Sequence, residues 1–496
     1  MTSLPYYTWF LRFRQWSQTR FTARFRRKCT TRPDFYPLAH RPAALPRFVQ
    51  ESAVAMRYLR LLEPLDWTRF PERDLNTPWT ITPVPFAPFV AACLVKLNEQ
   101  HVYMSQLRDY LVEHPALTWV LGFPLVPSHR YPCGFDVQAS LPTARHFTRL
   151  LRKIPNAICN YLLDETVRLL WAEMNTVVDD FGQTISLDTK HVIAWVRENN
   201  KKDYVQDRYD KTKQPAGDPD CKLGCKRRRN QRTSSTESLP TPLNNPVPGH
   251  TVRVAEFYWG YGSGVVATKI PDWGEFVLAE LTLPFNQPDV AYFDPLMADT
   301  ERRLGFRPRY GTLDAAFDAF YVYEYFYRDD LPLDAAFAAV PLSKRGGKHR
   351  QFDDQGLPLC DAGLAMPLRY TYTCRTTRVE HERGRYVCPL LFPEPTGETC
   401  PIQHKKWPKG CVTTMATSVG ARIRYQIDRD SEIYKSVYNQ RTATERINSQ
   451  AVALGIERPR LRNGQAIANQ NTLIYVLINL RALHRVRRKK HHLADK

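Results

Sequence analysis

Near Gly182 the periodicity of this chain changes, and that change constrains its fold more than any other feature. From Pro88 to about Met174 apolar residues recur at three- and four-residue intervals, in FVAACLVKLNE, MSQLRDYLVEHPALTWVLGF, TARHFTRLLRKI and AICNYLLDETVRLLWAEM. That spacing predicts a block of amphipathic helices. In QTISLDTK, immediately after Gly182, Ile185 and Leu187 alternate with Ser186 and Asp188, which predicts a strand ending in a carboxylate. The chain then turns polar from Asn199 to His250, too polar to form core. Beyond it, HTVRVAEFYWGYGSGVVATKI and EFVLAELTLP are strand candidates whose glycine-rich break suggests a hairpin. A helix (VAYFDPLMADTERRLGF) and a strand and turn (RYGTLDAAFDAFYVYEYF) follow. Strand, hairpin, helix, strand and helix in that order describe a mixed α/β domain.

The segment from about 329 to 422 loses periodicity and reads as a β-rich or irregular insertion. Helical spacing resumes in DSEIYKSVYNQRTATERINSQAVALGI, and the chain closes on an apolar helix, TLIYVLINLRALHRV, with a basic tail. The expected division is therefore a basic aromatic arm over 1–80, a helical domain over 81–178, a mixed-sheet domain over 179–455 and a C-terminal helix and tail over 456–496.

Charge narrows the partners. The 496 residues carry 70 Lys and Arg against 50 Asp and Glu, a formal charge of +20, which attracts polyanions and puts nucleic acid first. The first 60 residues hold 12 of the basic residues, interleaved with aromatics such as Tyr6, Trp9, Phe13 and Trp16, against the acids Asp34 and Glu51 alone. Such an arm is either solvated or a grip on phosphates. No run of about 18 apolar residues is present and Arg12 and Arg14 interrupt the N-terminal apolar stretch, so no membrane partner is expected and the chain reads as cytoplasmic. The helix from Thr143 to Lys153 presents Arg145, Arg149, Arg152 and Lys153 after the turn-rich LGFPLVPSH. A helix-turn-helix would set such a basic helix against DNA, and a helical bundle with a solvated basic face fits equally well.

The 11 cysteines, an odd number, argue against a disulfide framework. Cys360, Cys374, Cys388, Cys400 and Cys411 share one stretch without the paired spacing of a zinc ribbon. Cys221 and Cys225 come closer to that spacing, but structural zinc is not expected there either.

Three carboxylates stand out. Asp188 sits in an otherwise apolar strand, where a charge is costly without a partner or a task; a strand-terminal turn is the plainer explanation. Asp314, in GTLDAAFDA, lies where strand gives way to helix, a position that also suits an N-cap. Asp318 ranks behind it as falling inside the helix. Tyr438, Arg441 and Glu445 are spaced by three and four residues, so one helix would present all three on one face. An ordinary exposed ion pair between Arg441 and Glu445 explains the same spacing. Lys190, two residues past Asp188, could touch a phosphate or be a solvated strand-end lysine.

The segments SLDTK, GTLDAAFDAF and YNQRTATERINSQ resemble the three signature blocks of bacterial insertion-sequence transposases with a ribonuclease H-like core, the hairpin-forming and related group. Asp314 follows Asp188 by 126 residues and Glu445 follows Asp314 by 131, with a β-rich insertion in the second interval. The resemblance covers roughly 85–480. It implies a ribonuclease H-like mixed sheet preceded by a helical N-terminal domain, with Asp188, Asp314 and Glu445 holding two Mg²⁺ or Mn²⁺ ions. It further implies Tyr438 and Arg441 on the DNA backbone; Lys190, Arg149, Arg152 and Lys153 are further candidate DNA contacts by their charge and placement. The partners would be double-stranded transposon ends and target, bound by a homodimer. The family's Tyr-x2-Arg-x3-Glu-x6-Lys pattern fails at its last position, where Val452 stands. A transposase decayed to a DNA-binding protein, and a nuclease of the same fold without strand transfer, are the alternatives.

Overall fold

The computed structural model describes residues 44–74, 84–232, 251–343, 350–375, 379–404 and 407–494, together with Phe13. Most of the predicted basic arm, and residues 233–250 of the polar segment, lie outside the described residues.

The N-terminal half is helical as its periodicity predicts. Its main helices are α1 (Ala53–Leu62), α2 (Phe86–Asn98), α3 (Met104–Glu113), α4 (Pro115–Val120), α5 (Ala144–Lys153) and α6 (Asn156–Met174). Thr143 caps α5, its hydroxyl accepting the His146 N–H at 3.2 Å. Between α4 and α5 run a two-residue ribbon (Val126–Pro127 against Phe135–Asp136) and a short helix, Val137–Ser140. That connection is far longer than the three- or four-residue turn of a helix-turn-helix, so the bundle reading describes the region better.

The strands are β1 (Thr184–Ile193), β2 (Lys222–Arg232), β3 (Thr251–Ile270), β4 (Gly274–Pro284), β5 (Tyr310–Thr312) and β6 (Phe337–Ala339). The first half of β3 pairs with β2 and its second half is flanked by β1 and β4. Through that second half the sheet runs β4-β3-β1-β5-β6. β3 is antiparallel to both β4 and β1, whereas β5 runs parallel to β1, and β6 parallel to β5. The class is mixed α/β.

Three expectations change here. The polar stretch after Asp188 supplies β2, an edge strand that needs no apolar face to pair with β3. The glycines of GYGSG do not break β3; the hairpin turns at Pro271–Trp273 instead. A side chain at Gly262 would collide with the Tyr292 hydroxyl, 2.3 Å away, and one at Gly264 with the Tyr292 ring, 2.5 Å away, so these glycines let a helix lie close on the sheet. Finally, β6 falls inside the segment predicted as insertion, which therefore begins only after Val340.

Each face of the sheet is covered. On one, Ile185, Leu187, Val266 and Leu278 pack with Val167 and Leu170 of α6 and with Leu296 and Met297 of α7 (Phe293–Leu304). On the other, Val265, Ala267 and Val277 join a core shared with the N-terminal helices. Helical region and sheet thus hold one core, so the boundary expected at 178/179 is not a break in packing. Beyond β5 come α8 (Phe320–Phe326), then a lobe whose strands β7 (Leu368–Cys374), β8 (His381–Val387) and β9 (Val412–Ala416) form an antiparallel sheet ordered β9-β8-β7. The chain ends with α9 (Val419–Gln426), α10 (Glu432–Asn439), α11 (Thr442–Ala453) and α12 (Gly464–Ala494).

The last helix is 31 residues long, and the apolar segment and basic tail read separately from the sequence are continuous in it. Its middle is buried despite polar residues because those residues satisfy backbone groups. Asn479 accepts from Val277 N at 2.9 Å and donates to Val277 O at 2.8 Å, and Asn469 donates to Leu151 O and Ile154 O, both at 2.9 Å. Among the described residues no helix is long and apolar enough to cross a membrane.

Candidate active site at the centre of the sheet

Asp188 lies in the middle of β1, not at its end, because the strand continues to Ile193. Ser186 pairs in register with Thr312 of the parallel β5, so two residues further along Asp188, still within β1, comes beside Asp314, which lies just past the end of β5. Alternation sends Leu187 into the core on one face and Ser186 and Asp188 toward α11 on the other. There the Ser186 and Thr444 hydroxyls bond at 2.8 Å, and Asn448 donates from Nδ2 to Asp188 Oδ2 at 3.1 Å. Thr444 and Asn448 are one helical turn apart, matching the two-residue step of the strand beneath.

Burial pushes the Asp188 carboxyl up to about 6. The Thr189 N–H opposes this, as does the Arg441 guanidinium, while the negative charges of Asp314 and Asp289 add to it. Three carboxyl groups therefore feel one another across this end of the sheet. Asp289, at the head of the short helix that precedes α7, is itself raised by burial first and by Asp314 as well. It accepts a hydrogen bond from Thr189 Oγ1 at 2.7 Å. Neither Asp289 nor Asn448 stands out in the sequence. Asp289 follows a proline in a loop and Asn448 lies in a polar helix, and only the tertiary fold brings them to Asp188.

Asp314 does serve as a cap: its Oδ1 accepts from Ala316 N at 2.8 Å. The cap and the position beside Asp188 are both present. Asp318 is committed elsewhere. Its side chain is 1% exposed and takes hydrogen bonds from Arg424 Nε at 2.7 Å, Tyr323 Oη at 2.8 Å and Ser343 N at 2.6 Å. That set of partners makes it a tie between α8 and α9.

Tyr438, Arg441 and Glu445 do not share one continuous helix. Tyr438 lies in the last turn of α10, and Arg441 is the residue before α11, whose first turn holds Glu445. Arg441 Nη2 still reaches Glu445 Oε1 at 2.5 Å, the i, i+4 pair expected from spacing. Because Arg441 also acts on Asp188, the guanidinium lies within electrostatic reach of both acids. The Tyr438 ring stacks on Tyr434 at 5.9 Å and its carbonyl accepts from Thr312 Oγ1 at 3.3 Å, tying α10 to β5. Among the described residues no group of three or more His, Cys, Asp or Glu side chains is set to hold a metal ion.

The other predicted contacts spread outward. Lys190 pairs with Glu457 at 2.5 Å. Arg149 donates toward His146 Nδ1 at 2.9 Å, and Arg152 and Lys153 are exposed on α5. Val452 is 39% exposed on α11, and Arg446, the nearest basic residue in that block, pairs with Glu275 at 2.7 Å. Cys221 donates to Asp218 O at 3.3 Å while Cys225 is exposed. The chain matches none of the models of known protein families and none of the curated proteins with which it was compared.

Proposed function

We propose that the protein is a DNA transposase of the metal-dependent class, cutting and joining DNA at Asp188, Asp314 and Glu445. The observation that carries this reading is the convergence of Asp188, within β1, and Asp314, two residues past the end of the adjacent parallel β5, near the helix that bears Glu445. A sheet ordered β4-β3-β1-β5-β6, with a hairpin on one side of β1 and parallel strands on the other, supports the ribonuclease H-like core implied by the signature blocks. The charge of +20 supports a nucleic-acid partner; two copies on two DNA ends would complete the assembly.

The donors suit Mg²⁺ or Mn²⁺ in kind, since hard divalent ions prefer carboxylate oxygens. Asp188 holds its proton more tightly partly because Asp314 and Asp289 are negative, and a cation relieves the same repulsion. Asp188 and Asp314 would hold the metal, with Glu445 joining them by exchanging its partner Arg441. Ions held there would supply activation of the attacking oxygen and stabilisation of the leaving one. The protein's own part is to fix the acids. Asn448 orients Asp188 through Oδ2, Ser186 and Thr444 lock α11 to β1, and Arg441, once released from Glu445, is placed to meet a phosphate.

Supercoiled plasmid carrying the element's ends, incubated with the full chain and Mg²⁺, tests the reading. Wild type is expected to yield cut ends and joined products, and Asp188→Asn to lose both by about three orders of magnitude or more while still binding DNA. Cut ends without joined products would leave a nuclease; DNA binding with no Mg²⁺-dependent cutting by wild type would leave a binding protein. Either result ends the transposase assignment.

A further inference from the structure

Beyond the last residue of β1, the chain carries an exposed indole into a basic hollow. Trp195 is 38% exposed, and its backbone is fixed by its neighbours: Ile193 N donates to Glu457 O at 2.8 Å and Ala194 N to Trp259 O at 3.0 Å. Arg460 and Arg462, on the turn after α11, stand over the ring at 5.6 and 4.8 Å from its centroid. Arg145 and Arg152, two turns apart on one face of α5, line with them and Tyr103 a cavity of about 260 Å³. Among the described residues none of these four guanidinium groups is ion-paired with a carboxylate. Elsewhere in the molecule, exposed arginines such as Arg302 and Arg168 take acidic partners.

Four cations lining one hollow with an accessible aromatic ring, none of them ion-paired among the described residues, form a receptor for a polyanion that also has a flat face. A free phosphate would use the cations and leave the indole idle. A duplex hides its base faces except at its ends. The cavity is also smaller than the roughly 300 Å³ at which small-molecule sites begin, so it suits one unit of a longer chain better than a whole ligand. By chain reach, Trp195 is no more than about 25 Å from Asp188, seven residues along the same strand and its continuation.

We infer that this hollow binds an unpaired nucleotide of a DNA strand, its base stacked on Trp195 and its phosphates held by Arg145, Arg152, Arg460 and Arg462. The base takes the place of one guanidinium over the indole, and the displaced arginine turns to a phosphate. The inference rests on the reading of the chain as a DNA-strand enzyme, but it needs neither metal nor carboxylates. Asp188→Asn is therefore expected to leave it intact.

The test is fluorescence anisotropy of the full chain with a labelled 15-residue oligothymidine and with a 15-base-pair duplex, without divalent metal, across a salt series. Trp195→Ala is expected to weaken oligothymidine binding about tenfold and duplex binding far less, with Trp195→Phe retaining most of the affinity. Arg460→Ala/Arg462→Ala is expected to flatten the log–log salt dependence by roughly 0.7 for each phosphate the protein no longer neutralises. In the unaltered protein, photo-crosslinking to 5-iodouracil in the same oligonucleotide is expected to label the peptide containing Trp195. Oligothymidine affinity unchanged in Trp195→Ala, equal losses for single strand and duplex, or crosslinks confined to other peptides would overturn the inference. Binding that behaves as inferred in Asp188→Asn while plasmid cutting fails in wild type would uphold the pocket and sink only the catalytic reading.

Discussion

The central sheet and the cysteine-bearing lobe hold strands in opposite ways. In the sheet, Leu187, Val266 and Leu278 are wholly or almost wholly buried, with helices over both faces, so Asp188 and its neighbours stand on a rigid base. In the lobe, among the described residues, the buried cluster beside β7–β9 is small: Cys388, Leu390 and Cys400, with Leu364, Leu391, Trp407 and Cys411 packed against it. Tyr370 and Tyr372 of β7 are 46% and 41% exposed. Apolar burial scales with area removed from water, so the sheet has far more of it to lose. A site that must hold carboxylates against their mutual repulsion belongs in the first kind of region.

Cavity formation should separate the two regions most visibly. Leu278→Ala, at a fully buried site between sheet and helices, is expected to cost roughly 2–5 kcal/mol, seen as a lower denaturant midpoint for the whole chain. Leu390→Ala is expected to cost under about 2 kcal/mol, with faster amide exchange confined to 350–416. Equal global losses would show that the lobe and sheet unfold as one unit.

A smaller effect concerns pH. Asp188 is raised to about 6 and Glu280, buried beneath α12 and bonded to Thr472, to about 7, so the folded chain holds both protons more tightly than the unfolded chain does. Their neutral forms favour the fold at acid pH, and stability falls as pH rises from about 4 through 6 and 7. Asp188→Asn removes the lower part of that slope. Its stability relative to wild type should therefore climb between pH 4 and 7, by up to about 3 kcal/mol and less in proportion to the residue's partial exposure. Denaturation profiles of the two proteins that stay parallel across this range would show that Asp188 does not titrate as described.

Much of this could be read from the chain, and the misses have physical causes. The N-terminal helices, the Thr143 cap and the β1 alternation follow from local periodicity. β6 could not be seen, because three buried residues of a parallel strand carry no alternation. β2 hid in a polar run because edge pairing depends on backbone groups, not on apolar side chains. The break between Tyr438 and Arg441 was invisible since the sequence across it continues to favour helix. At the site, Asp188 and Asp314 stood out as charges beside apolar runs. Asp289 and Asn448 did not, since their role comes from partners 100 and 260 residues away in sequence. The cysteines show the same limit. Burial lifts the Cys411 thiol to about 12, helped by Cys388 and Cys360, a grouping of residues that the spacing keeps apart.

The most direct test of the central claim is Mn²⁺ binding by the full chain without DNA, followed by electron paramagnetic resonance of the free ion. Wild type is expected to bind Mn²⁺ and Mg²⁺ to displace it, with binding lost or weakened at least tenfold in Asp188→Asn and in Asp314→Asn but unchanged in the exposed-loop variant Asp203→Asn. Wild-type affinity in both site variants would contradict the claim.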